Sequence, residues 1–286
     1  MRAGCKDTRS RETQSRRESF GVLDPQCIHI AEEAARRGGA VLQEWRSRFT
    51  VSEKGPADLV TEADFAAQET IHVFIRDHFP DHAFLGEEQL KCDRPDSKYR
   101  WIIDPLDGTS NYVHGFPYYA VSIGLEYEHE LVAGVIFDPT RDEMFSAVRG
   151  QGARLNGRPI HASPIQRASE AMLMASLPRG VQRSDPAIVR FLQALHGVQT
   201  VQRSGSAALN LAYTAAGRID GFFSSSLKPW DMAAGVVIVI EAGGIVSALD
   251  GKPFDVNLPE VLACNNSVLH EQLKQLLAFD NLSPSC

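Results

Sequence analysis

The chain has 286 residues, enough for one large domain or two packed halves. A chain of this size buries roughly 75% of the surface its unfolded form exposes, so its core needs no disulfide staples. Hydrophobic residues make up 43%, charged residues 23%, and the net charge is −7, which excludes wholesale disorder and makes nucleic acid or an anionic membrane a poor partner.

Residues 1–20 are polar and Arg/Ser-rich, with basic Arg2, Lys6, Arg9, Arg11, Arg16 and Arg17 and no apolar h-region. They read as a disordered tail and not as a secretory signal. Folded structure is expected from near Asp24. Ile28, Ala31, Ala34, Ala35, Val41, Leu42 and Trp45 fit one helical face, although Gly38-Gly39 interrupts it. Asp58-Leu-Val-Thr-Glu-Ala-Asp64 leads into a second helix, with Phe65, Ile71, Phe74 and Ile75 as its stripe and Pro80 as its stop. Residues 83–85 and 99–103 read as strands ending at Gly86-Glu87-Glu88 and at Asp104-Pro-Leu-Asp-Gly-Thr109. Residues 119–127 and 131–137 suggest a hairpin, and 145–157 continue the antiparallel pattern through Gly and Asn-Gly turns. After about Ser163 strands over 172–176 and 200–201 alternate with helices over 186–195 and 207–216, which suggests partly parallel strands. Val236 to Ile240 would favour a strand by propensity, but a cap near Asp231 and Gly243-Gly244 at the other end favour a buried helix. The expected organisation is the tail over 1–20, an α+β half over 21–162, and an α/β half over 163–286.

Several acidic residues sit at the ends of apolar strands, beside Gly, Pro and Thr, where sites are built. After Trp101-Ile-Ile, Pro105 should stop the ladder and Asp107-Gly108 should turn the chain, with Thr109 or Ser110 capping a helix. Asp104 and Asp107 can then converge on one point with the N–H groups of Gly108 and Thr109. Taken alone, this turn is equally an Asx turn, Asp231 a plain N-cap, Asp58 or Asp64 a cap, and one of Glu87 and Glu88 solvated. Together they make a hard-cation site, with oxygen ligands that suit Mg²⁺ or Mn²⁺. Five scattered cysteines (Cys5, Cys27, Cys92, Cys264, Cys286) suggest neither a disulfide framework nor a thiolate metal site, and fit a cytoplasmic protein.

With these motifs, and with Asn111-Tyr-Val-His114, Phe116-Pro117, Gly205-Ser-Ala-Ala-Leu-Asn210 and Trp230-Asp231 followed by Ala233-Ala-Gly235, the chain resembles the inositol monophosphatase family of Mg²⁺-dependent, lithium-sensitive phosphatases. The resemblance runs from about Asp24 to Leu277. It implies a five-layer αβαβα sandwich of mixed α/β class, with an antiparallel sheet in the first half and a mixed sheet in the second. It implies hydrolysis of a small phosphate monoester, such as inositol monophosphate or a related sugar or alcohol phosphate, by metal-activated water. Two or three Mg²⁺ ions would be held: the first by Glu87, Asp104 and the Leu106 carbonyl, the second by Asp104, Asp107 and Asp231. Thr109, with Asp64 and Glu87, would orient and deprotonate the attacking water. The amides of Gly108 and Thr109 would bind phosphate beside Asp107 and Asp231. Gly205, Ser206 and Ala207 would contact the alcohol. A homodimer is also implied, with no nucleic-acid or membrane partner. One departure concerns the substrate: inositol-specific members resemble Phe-Trp-Glu or Tyr-Tyr-Glu where this chain has Phe222-Phe223-Ser224. Histidinol phosphate, fructose 1,6-bisphosphate and nucleotide 3′-phosphates therefore stay open as substrates. So does a regulatory binding role in transcription complexes.

Overall fold

The structure is a computed structural model and describes residues 23–55, 58–91 and 94–278. The tail over 1–20 and Cys5, Cys92 and Cys286 lie outside these residues. Helices α1 (Gln26–Trp45) and α2 (Glu62–His78) pack side by side. The Gly38-Gly39 pair does not break α1: a Cβ at Gly38 would strike Ile71 of α2, so the glycines are where the helix meets its neighbours. A small hairpin, β1 (Val51–Gly55) and β2 (Asp58–Thr61), lies between them in sequence, where no strand was expected.

The first sheet has seven strands in the order β3 (Ala83–Gly86), β4 (Tyr99–Asp107), β5 (Ala120–Tyr127), β6 (Glu130–Asp138), β7 (Glu143–Val148), β8 (Ala153–Leu155) and β9 (Arg158–Ile160). Its pairs are antiparallel except β3 with β4, which are parallel. The antiparallel sheet expected for the first half is present, with one parallel pair added at its edge, where the segment from Glu87 to Lys98 is long enough for the crossover such a pair needs. The second sheet runs β11 (Thr200–Gln202), β10 (Met172–Ser176), β12 (Gly221–Ser224), β14 (Val261–Cys264), β13 (Ile245–Ser247), parallel on one side and antiparallel on the other.

Helices α5 (Ala207–Ala215) and α6 (Pro229–Glu241) fill the space between the sheets, while α4 (Pro186–Gly197) and α7 (Ser267–Leu276) cover the outer face of the second. The result is five layers in the order αβαβα, with one apolar cluster around the inner helices filling both inner gaps and one more in each outer gap. Position explains why Val236 to Ile240 is helical: all but Ile240 are buried, so propensity yields to packing on both sides of α6. Among the described residues no helix is long and apolar enough to cross a membrane.

Candidate active site

The site grows from the end of β4. Trp101, Ile102 and Ile103 are fully buried between helices on either face, which fixes the strand centrally. Pro105 does not stop the ladder as its missing N–H suggested. Asp104 pairs with Ser122 and Asp107 with Ala120, so one extra residue is accommodated in a bulge. Pro105 sits in that bulge, where no ladder hydrogen bond is required of it. The bulge turns both carboxylates out of the sheet, and Asp104 Oδ1 accepts the Leu106 N–H at 3.0 Å.

The next helix, α3 (Thr109–Val113), is capped by Gly108 and not by Thr109 or Ser110. Gly108 has φ 98°, and a Cβ there would lie 3.1 Å from the Tyr118 carbonyl oxygen, so glycine is required by both conformation and space. The Thr109 hydroxyl is left to face Leu106 O at 3.2 Å and Asp64 Oδ1 at 3.4 Å. Asp64 is the third residue of α2, in a capping box: its Oδ2 accepts from the Thr61 N–H at 2.9 Å and the Thr61 hydroxyl at 2.7 Å. Thr61 is the cap that Asp58 or Asp64 was expected to be: it stands immediately before the helix with an extended backbone, and its hydroxyl accepts the Ala63 N–H at 3.2 Å.

Asp231 likewise is not an N-cap. It is the third residue of α6, and its Oδ2 accepts the Lys228 N–H at 2.7 Å. Pro229 occupies the first helical position and moves the helix start two residues upstream of Asp231.

Asp104, Asp107 and Asp231 offer carboxylate oxygens all within 4.8 Å of one another. Burial, more than mutual repulsion, pushes each carboxyl up. Asp104 lies well above the carboxylate range, with Glu87 the strongest neighbouring charge. Asp107 rises to about 6 and Asp231 to about 8. Asp107 is restrained by three donors from the start of α5: the Ser206 hydroxyl and the N–H groups of Ala208 at 2.9 Å and Ala207 at 3.2 Å. Two buried carboxylates and the half-buried Asp231, which resist ionisation together, fit a hard divalent cation, which would neutralise them.

Glu87 follows β3, partly exposed, with its N–H donating to Ile103 O at 3.2 Å; Glu88 is the buried one of the pair, bracketed by Gln68. The Gly205 loop divides: Gly205 is exposed, while Ser206 and Ala207 are buried beneath it and serve Asp107. Ser224 ends β12 opposite Ser176 of β10 and is buried, with its hydroxyl accepting from the Ser226 N–H at 3.4 Å. Sequence reasoning missed Arg179, whose positive charge holds Asp231 down against burial; no motif or spacing marks it. It also missed that Ser206 anchors Asp107, a contact between residues far apart in sequence.

A profile of the inositol monophosphatase family matches residues 24–280. An inositol-1-monophosphatase from Synechocystis is 42% identical over 93% of this chain and 94% of its own length. A protein named Nus factor SuhB from Escherichia coli K12 is 37% identical over 87% of this chain and 95% of its own length. The solved structure of an inositol monophosphatase from Anabaena superposes with a TM-score of 0.80 and 40% identity, covering 88% of this chain and 95% of that one. On the profile, the identities and the shared five-layer fold, the chain belongs to the inositol monophosphatase family.

Proposed function

We propose that the protein hydrolyses small phosphate monoesters with Mg²⁺ held by Asp104, Asp107 and Asp231, joined by Glu87 and the Leu106 carbonyl. The convergence of three carboxylates, those of Asp104 and Asp107 buried and that of Asp231 half-buried, beside the Thr109–Asp64 pair carries this reading. Bound Mg²⁺ supplies Lewis acidity that offsets phosphate charge and activates water.

The chain's own groups do the rest. Asp64 Oδ2 is engaged by Thr61, so Oδ1 is the atom turned to the Thr109 hydroxyl. A water proton passes to Thr109 Oγ1 as the Thr109 proton passes to Asp64 Oδ1. The water oxygen bonds phosphorus as the ester P–O bond breaks; the leaving alkoxide takes a proton from solvent water, and Asp64 Oδ1 returns the proton it received to solvent. The amides of Gly108 and Thr109 hold the phosphate, and Gly205 meets the alcohol.

Substrate choice follows from Ser224, a buried neutral group with no carboxylate to offer ring hydroxyls. Inositol 1-phosphate is then hydrolysed without strong preference over sugar phosphates, histidinol phosphate or nucleotide monophosphates. A homodimer belongs to this reading, supported by Leu192 and Leu195, which stand exposed on α4. The test is phosphate release from that panel with Mg²⁺ and with EDTA. Release with Mg²⁺ alone supports the proposal, and no release from any ester overturns it. A preference for inositol 1-phosphate above about a hundredfold in kcat/KM overturns the Ser224 argument. The SuhB-named relatives favour a second role in a transcription complex, tested by affinity capture with RNA polymerase.

A further inference from the structure

The Gly205 loop arrives at the site from the second half of the chain, and one side chain ties it to the turn after β4. Asn111, on α3, donates from Nδ2 to the Tyr118 carbonyl at 2.7 Å and to the Ser204 carbonyl at 2.9 Å. Its own backbone carbonyl accepts the Phe116 N–H at 2.8 Å. The far side of the junction closes on Asn210: its Oδ1 accepts from the Ser204 hydroxyl at 2.6 Å and from the Tyr118 hydroxyl at 3.1 Å. Gly205 follows at φ 92°, and a Cβ there would lie 2.9 Å from both the nitrogen and the oxygen of the Asn111 amide. The amide therefore packs directly against the Gly205 backbone. The next residues along, Ser206 to Ala208, are the ones that hold Asp107.

We propose that Asn111 is a positioning residue that fixes the Gly205 loop over the site and thereby sets the fit of the alcohol half of the substrate. The proposal rests on the phosphatase reading above for its substrate, and on geometry alone for the clamp. The Asn111 amide meets the requirement and a carboxylate does not. Two carbonyl oxygens need two N–H donors, and a carboxylate at this position would face them with none. Glycine at 205 is the complementary half: it gives the amide room and tolerates the left-handed backbone.

The experiment uses Asn111→Ala, Asn111→Asp, Gly205→Ala and the Asn111→Ala/Gly205→Ala double variant in the full chain. Inositol 1-phosphate is compared with p-nitrophenyl phosphate, whose flat leaving group asks less of the loop. Asn111→Ala is expected to raise KM for inositol 1-phosphate about tenfold, with kcat changed less than about threefold and p-nitrophenyl phosphate little affected. Hydrogen exchange at residues 204–206 is expected to quicken about tenfold. Asn111→Asp is expected to act more severely. Gly205→Ala is expected to act in the same direction as Asn111→Ala but more strongly, since its methyl also meets a left-handed backbone, and the double variant to fall short of the sum of the singles, because removing the amide opens the space the new methyl needs. Equal losses on both substrates, unchanged exchange at 204–206, or additive effects would overturn the proposal. The exchange readout needs no turnover, so a wild-type protein inactive on every ester would sink the phosphatase reading while the clamp is still tested. Should Asn111→Ala fail to fold, Gly205→Ala carries the same test.

Discussion

Asp104 has neighbours on every side that share its sign. Burial pushes its carboxyl up most, Glu87, Asp107 and Asp231 push the same way, and the Leu106 N–H opposes them. An amide at this position keeps the shape but cannot neutralise a cation. Asp104→Asn is expected to lower Mg²⁺-dependent turnover by at least about 10³-fold, roughly 4 kcal/mol of barrier, with an unchanged circular dichroism spectrum. A folded variant near wild-type turnover would refute the role. Asp231 gives a second prediction, from its displaced titration. Its folded value of about 8 lies above the ordinary 3.8, so the folded state holds the proton more tightly than the unfolded state. The stability this confers is complete at low pH and is lost as pH rises through about 8. Below about pH 6.5 the half-buried His82 and the buried His270, both lowered by desolvation, add the opposite slope, because folding resists their protonation. The clean window is therefore about pH 6.5 to 8, where the metal-free protein is expected to lose thermal stability and saturating Mg²⁺ to remove the slope. A flat melting profile in EDTA across that window would count against the buried charge cluster.

Helix α6 is the element that joins the site to the core. It presses on β5 and β6 where those strands carry Gly124 and Gly134: a Cβ at Gly124 would meet the Ala233 Cβ at 2.6 Å, and one at Gly134 would strike the Ala234 carbonyl. Backbone cannot step aside as a side chain can, so Gly134→Ala is expected to cost about 1–3 kcal/mol by overpacking. Because Asp231 rides on the same helix, weaker Mg²⁺ binding should accompany the loss. Urea unfolding and a Mg²⁺ titration read the two effects, and unchanged values in both would show that α6 accommodates the methyl. This helix was legible in the sequence because a cap expected near Asp231 and Gly243-Gly244 bracket it, even though Val236 to Ile240 pulls toward a strand; Pro229 sets its true start. The carboxylate turns were legible for a related reason: charge at the end of an apolar strand stands out. Strands β12, β13 and β14 were not legible. Each is three or four residues long, and β12 and β14 are buried throughout, so no alternation marks them. The β4 bulge was hidden too, since Pro105 reads as a stop unless its partner strand is known.

At the scale of the whole molecule, the site is a seam. Asp104 and Asp107 come from the first sheet, Asp231 comes from a helix between the sheets, and the donors that hold Asp107 come from α5. No sequence spacing relates these parts; the layered packing alone brings them together. A cation shared by all three carboxylates therefore links elements that are remote in the chain, and it binds only when they are assembled. Such a ligand stabilises the folded state by mass action, about 2.7 kcal/mol at a hundred times its Kd. For a chain somewhat longer than 250 residues, that corresponds to a rise of roughly 5–10 °C in Tm. Mg²⁺ is expected to produce such a rise at pH 8, and EDTA to reverse it. Asp231→Asn should abolish most of the shift while leaving the metal-free Tm no lower than wild type, since its amide oxygen can still accept the Lys228 N–H and one carboxylate fewer faces Asp104 and Asp107. Differential scanning calorimetry of both proteins with and without Mg²⁺ decides the matter: an equal shift in the variant would place the ion elsewhere, and no shift in the wild type would remove the cation from the seam.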